Sequence, residues 1–101
     1  MLNQVVLVGK LVEELELKEG EDGNDYGIIK LSVSRPFKNE EGIYEYDYID
    51  CLLKGGIVAN CKEYCHKGDI VGVKARLEKL ENEDLKIVAE KITFLSTKKE
   101  D

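Results

Sequence analysis

The sequence has no tryptophan, one proline, one histidine and no long apolar run. The last absence excludes a membrane-spanning helix, which needs roughly 18 consecutive apolar residues. Met1-Leu2-Asn3-Gln4 offers neither a basic stretch nor a small-residue cleavage site, so no secretory leader is expected and the cytosol is the expected compartment. Three cysteines suit that setting, because an odd count makes a poor disulfide framework and cytosolic thiols stay reduced. The lone His66 has no Ser or Cys nucleophile arranged around it. Gly55-Gly56 lacks the Gly-Lys-Ser/Thr ending of a phosphate loop, and the acids lie in loops without a paired-carboxylate signature. No enzyme is expected. Cys51, Cys61, Cys65 and His66 invite a zinc reading, but Cys61 and Cys65 stand one helical turn apart and no Cys-x-x-Cys pair is present. Small buried thiols are the simpler account, and no metal or cofactor is expected.

What is present is one domain's worth of chain, 101 residues, 43% apolar and 36% charged. So small a domain has a modest core, which closure into a barrel or association with a partner would help. The net charge of −6 argues at first against a polyanionic partner. Its distribution argues otherwise. Residues 13–25 hold seven acids and one lysine, and residues 39–50 hold five acids and no base. Residues 26–38 hold Lys30, Arg35 and Lys38 with no acid, and residues 54–79 hold six bases against three acids. Acid gathers in turn-like segments and base in strand-like ones, so one face can still attract a polyanion.

Residues 2–12 are aliphatic on both faces, which reads as a strand buried on two sides. One face belongs to the core, and a second copy of the chain is the simplest cover for the other. Gly9 inside the run suggests a bulge or a sharp bend, as at a barrel corner. A polar loop spans 18–25. Residues 26–34 alternate, with Ile29, Leu31 and Val33 on one side and Lys30, Ser32 and Ser34 on the other. Pro36 is expected to end the pairing, since it has no N–H to donate. A hairpin loop or flap follows at 38–42. In the strand 43–54, Ile43, Ile49, Cys51 and Leu53 share one face, and Tyr44, Tyr46, Tyr48, Asp50, Leu52 and Lys54 share the other. The one helix candidate is 57–66, with Val58, Cys61 and Cys65 as its apolar stripe, Gly68 as the C′ residue and His66 near the terminal carbonyls. Strands at 69–77, with Val71, Val73, Ala75 and Leu77 inward, and at 85–95 complete the pattern, leaving a frayed polar tail at 96–101. The order β-β-β-α-β-β predicts an all-β domain over 1–95 with one short helix, a five-stranded barrel of the OB type.

Tyr44, Tyr46 and Tyr48 at period two make either a stacking platform for bases or a row that simply suits a strand and packs on a neighbour. Arg35-Pro36-Phe37-Lys38 sets an aromatic between two cations at a strand end, where it would stack a base beside phosphate contacts or fold back as a proline-led turn. Lys74 and Arg76 project opposite the apolar face of their strand.

Read together, Asn3-Gln4-Val5-Val6-Leu7-Val8-Gly9-Lys10-Leu11, Leu31-Ser32-Val33 running into Arg35-Pro36-Phe37-Lys38, Tyr48-Ile49-Asp50-Cys51 and the stretch Glu63 to Leu77 resemble the bacterial single-stranded-DNA-binding protein family. The resemblance spans nearly the whole chain in order. It implies an OB fold, a homotetramer or a dimer built through residues 2–12, and single-stranded DNA as the partner in replication, recombination and repair. Phe37 and Tyr48 fall where the family places base-stacking aromatics. Lys10, Arg35, Lys38, Lys74 and Arg76 fall in its basic, DNA-facing stretches. The chain departs from the family in having Lys54 where an aromatic is frequent, and no aromatic in the hairpin Leu80 to Asp84. Two lost stacks are worth about 1–3 kcal/mol each unless Tyr44, Tyr46 or Lys54 compensates. The family's acidic tip, which recruits replication and repair proteins, is not matched by Lys98-Lys99-Glu100-Asp101, so recruitment by that route is not expected. The competing expectation is an OB module that binds a replication or primosome protein, with DNA secondary.

Overall fold

Seven elements follow one another in the computed structural model, which describes residues 1–96. They are β1 (Val5–Leu11), β2 (Glu16–Glu19), β3 (Asp25–Lys38), β4 (Tyr44–Lys54), α1 (Gly56–Tyr64), β5 (Ile70–Lys79) and β6 (Leu85–Ser96). Hydrogen bonding runs β1-β5-β6-β4-β3-β2, and a further pairing of β1 with β3 closes the first five into a barrel. The seam is short, Lys10 opposite Ser32 and Leu11 opposite Leu31. Every neighbouring pair is antiparallel except β4 and β6, which run parallel through Cys51 and Leu52. This is the closed five-stranded barrel, with a helix between its third and fourth strands, that the sequence pattern predicts.

Period-two alternation explains the core. Leu11, Ile29, Leu31, Cys51, Leu53, Val71, Val73 and Ala75 point into the barrel and are buried, with Val33 and Ile49 packed against them. The helix adds Val58, Cys61 and, just past its end, Cys65. Asn3 extends the β1–β5 pairing beyond the strand: its amide donates to the Leu77 carbonyl at 2.8 Å and accepts from the Leu77 N–H at 2.8 Å.

Three hairpins share one turn geometry. In each, the first turn residue donates to the carbonyl four residues on, and the residue three places on donates back to it: Gly20 with Asn24 and Gly23, Asn39 with Ile43 and Gly42, Leu80 with Asp84 and Glu83. The back-donating residue has positive φ in all three, 82° at Gly23, 79° at Gly42 and 67° at Glu83. Such turns end in a left-handed residue, which glycine adopts without steric cost.

Several local expectations are corrected. Residues 16–19 lie within the acidic stretch but form an edge strand on β3; all four are exposed, so no apolar alternation marks them. Pro36 does not end the pairing. It sits in an irregularity between Ser34 and Lys38, after which Lys38 pairs again with Tyr44, so the missing N–H costs no regular ladder bond. The helix stops at Tyr64, and extended Cys65 rather than Gly68 caps it. Gly68, at φ 96°, belongs to the next turn, where its N–H donates to Leu11. His66 faces carboxylates instead of helix carbonyls: its N–H donates to Asp69 and its Nδ1 lies 3.4 Å from Glu14. Leu77 and Ile43 are exposed: Leu77 lies near the end of β5, and Ile43 lies in the turn before β4. Of a bulge or a sharp bend at a barrel corner, Gly9 forms no bulge, since the β1–β5 register is continuous; it lies just before the corner where β1, still paired with β5 through Lys10, also pairs with β3. Of the expected tail, residues 97–101 lie outside the described residues. Among those described, no helix is long and apolar enough to cross a membrane.

Candidate nucleic-acid interface

The tyrosine row is an open surface. Tyr44, Tyr46 and Tyr48 are 47%, 55% and 67% exposed, and Phe37 in the β3 irregularity is 80% exposed. Cross-strand register sets what stands beside each ring. Tyr44 faces Lys38, whose Nζ lies 5.6 Å from the ring centroid. Tyr46 faces Ser34, and Tyr48 faces Ser32. Lys10 faces Ser32 from the other side, across the seam, so Lys10, Ser32 and Tyr48 form one row over three strands. Small serines beside the rings leave their faces uncovered. From Tyr44 to Lys54 the strand spans roughly 33 Å at about 3.3 Å per residue, enough for several nucleotides.

Farther along the same face, Ile28 opposite Leu52 and Tyr26 opposite Lys54 form the floor of a recess of about 290 Å³. Leu80 and Lys86 of the β5–β6 hairpin form its other wall. The recess offers apolar surface to a flat base, with Lys54 and Lys86 and one carboxylate, Asp50, in its lining. The tyrosine side of the recess is acidic: Asp50, part of its lining, stands opposite Lys30, and Lys30 is already 3.5 Å from Glu13.

The cations divide into two kinds. Among the described residues, Lys10, Lys38, Lys54 and Lys74 have no carboxylate at ion-pair distance. Both arginines do. Arg35 grips Asp47 with Nε at 3.1 and 3.2 Å and Nη2 at 2.9 Å, and its Nη1 lies 3.7 Å from Glu45. This grip holds the Asp47 carboxyl below its ordinary pKa. Arg76 donates to Glu78 at 2.7 Å and lies 3.5 Å from Glu90. Glu45 and Asp47 alternate with the tyrosines, so they point off the opposite side of the strand.

Residues 2–95 match the family described as Single-strand binding protein family. The chain belongs to that family. Single-stranded DNA-binding protein B of Bacillus subtilis is 35% identical over 106 residues, covering 97% of this chain and 94% of its own length. The single-stranded DNA-binding protein of Oceanobacillus iheyensis is 36% identical over 106 residues, with 97% of this chain and 66% of the relative covered. In fold, the chain superposes on the mitochondrial single-stranded DNA binding protein Rim1 of S. cerevisiae with a TM-score of 0.81 at 20% identity, covering 98% of this chain and 99% of that one.

In this member of the single-strand binding family, the predicted residues do not all converge. Lys10, Lys38, Tyr44, Tyr46, Tyr48 and Lys54 share the outer face of β3–β4 and its seam with β1. Phe37 is exposed in the arm that β3 and β4 extend beyond the barrel. Lys74 stands elsewhere, on β5 between Val6 and Lys91. Arg76 is linked to the recess by a row through Val88 and Leu52 to Ile28, but its guanidinium is held by acids. Tyr26, Leu52, Leu80 and Lys86 join the site in addition to the predicted residues. Tyr26 had a usable signal, because it shares the outward parity of Lys30 and Ser32; the approach of Leu80 and Lys86 depends on the hairpin and had none.

Proposed function

We propose that the chain binds single-stranded DNA with little sequence preference, by stacking bases on Tyr44, Tyr46, Tyr48 and Phe37 and setting phosphates on Lys10, Lys38 and Lys54; Lys74, opposite Val6 on β5, lies outside this path. The observation that carries this reading is the exposed row of three tyrosines with serines and unpaired lysines beside them. Base-aromatic stacking tolerates any sequence, since every base has a π-face. The names of the relatives, single-stranded DNA-binding proteins, support it. The role is that of a non-catalytic binder, protecting exposed strands in replication, recombination and repair. Residues 1–95 form the binding domain and 96–101 a polar tail. The proposed setting is the cytosol, consistent with three unpaired cysteines.

The same reading includes self-association, as a homotetramer or as a dimer through residues 2–12. Its support is the outer face of β1, where Val6 and Val8 are 67% and 55% exposed on a strand whose other face is core. Apolar side chains adjacent on one strand face are the usual material of an interface.

Tyrosine fluorescence, titrated with oligo-dT and with duplex at low salt, tests the binding. Strong quenching by the single strand, little by the duplex and steep loss with salt are expected. Absence of quenching by oligo-dT would refute the reading. Light scattering after size exclusion tests the assembly, and a monomer would refute that part alone.

A further inference from the structure

We infer that Asp47 determines which face of the β3–β4 arm the DNA strand follows, by withdrawing Arg35 from phosphate. This rests on the DNA-binding reading above and assigns the path within it.

Beyond the barrel, β3 and β4 continue as a two-stranded arm with two unlike faces. The front carries Tyr44 and Tyr46, with Lys38 over the Tyr44 ring. The back carries Glu45 and Asp47, joined by Arg35. An arginine at this place would otherwise be the best phosphate ligand on the arm, because its planar fork grips two oxygens at once. Here the Nε and Nη2 donors of that fork go to the two Asp47 oxygens, and Nη1 lies 3.7 Å from Glu45. Two carboxylates against one guanidinium leave the back of the arm net negative, while Lys38 leaves the front net positive. A polyanion is drawn to the aromatic front and turned away from the back. Asp47 is therefore a positioning residue: it need not touch DNA to set its path.

The test uses the full chain as wild type, Arg35→Gln, Asp47→Asn and the double variant, titrated with oligo-dT over a salt series. Arg35→Gln should leave affinity within about twofold and the salt slope unchanged, since the arginine makes no phosphate contact. Asp47→Asn should tighten binding at low salt and steepen the slope of log K against log salt by about 0.7, the value of one added phosphate contact on a single strand. The double variant has the wild-type net charge and should return to the wild-type slope. A marked loss of affinity in Arg35→Gln overturns the inference, because Arg35 would then bind DNA despite its partners. So does a steeper slope that persists in the double variant, because the gain would then come from the lost Asp47 charge alone. Failure of the wild type to bind oligo-dT would refute the DNA-binding reading itself, an outcome distinct from either of these.

Discussion

Gly9 lies against the backbone of Ser32 at the seam where β1, paired with β5, also meets β3: a Cβ placed on Gly9 would sit 2.8 Å from the Ser32 carbonyl oxygen. The same Cβ would come within 3.1 Å of Val33 Cγ2 and 3.2 Å of Leu31 Cβ. Backbone on one side and packed core on the other leave no flexible atom to yield. Gly9→Ala is therefore expected to destabilise the barrel by about 1–3 kcal/mol, as overpacking does in other cores. Thermal unfolding followed by circular dichroism would register this as a fall of roughly 4–8 °C per kcal/mol. An unchanged midpoint would mean that the seam opens without cost.

Closure at that seam also places Lys10 in line with Tyr48, and binding should report both. Tyr48→Ala is expected to lose about 1–3 kcal/mol of oligo-dT affinity, roughly 5- to 150-fold, while Tyr48→Phe keeps most of it, because the stack and not the hydroxyl carries the energy. Lys10→Gln should cost less at high salt than at low, and reduce the salt slope by about 0.7. Titrations at two or more salt concentrations separate the two effects. Equal losses for Tyr48→Ala and Tyr48→Phe would point to a hydroxyl contact and remove the stacking argument.

The sequence made the barrel legible wherever one face of a strand is buried. Ile29, Leu31, Cys51, Leu53, Val71, Val73 and Ala75 are buried and alternate with half-buried or exposed residues, and alternation is what a pleated wall imposes. It could not mark β2, because all four residues of Glu16–Glu19 are exposed and nothing periodic distinguishes them from an acidic loop. The single proline misled for a physical reason: its missing N–H forbids a regular ladder position but not an irregular one, and Pro36 occupies the irregularity. At the site, period two was sufficient to group Tyr44, Tyr46 and Tyr48, since it fixes which face a strand residue takes. Charge pairing was not readable. Arg35 and Asp47 are twelve positions apart and meet only because β3 folds back on β4, so a count of charges along the chain does not reveal their pairing. Lys10 belongs to the row with Tyr48 only through barrel closure, a contact that local pattern does not carry.

Turn geometry yields a stabilising change. Glu83 is the one described non-glycine residue at positive φ, in a hairpin whose two counterparts place Gly23 and Gly42 at the same position. Left-handed backbone costs an ordinary L-residue roughly 1–2 kcal/mol, and the entropy glycine returns to the unfolded chain offsets about 0.4–1 of that. Glu83→Gly is thus expected to raise stability by about 0.5–1 kcal/mol. Urea unfolding should show a higher midpoint at unchanged slope. A lower midpoint would show that the Glu83 side chain contributes more than its backbone strain removes.

The buried thiol of Cys51 gives the stability a specific alkaline limit. It lies wholly inside the barrel, and burial, aided by the negative charge of Asp50, pushes its pKa up from about 9 to about 11. A raised pKa means the folded state resists losing this proton, so the unfolded chain binds fewer protons once pH passes 9. The contribution to stability is fully present below pH 9 and is lost as pH rises through 9 to 11. The loss is on the order of 2–3 kcal/mol, at about 1.4 kcal/mol for each pH unit that separates the folded from the unfolded thiol. Lysines and tyrosines also titrate in that range, so the measurement is a comparison. Urea unfolding from pH 8 to pH 11 on the wild type and on Cys51→Ala should show a shallower alkaline fall in the variant, although its stability at pH 8 is lower from lost packing. Parallel curves would show that the thiol ionises at an ordinary pH, and hence that water reaches the strand wall between Ile29 and Leu53 that the barrel is built to exclude.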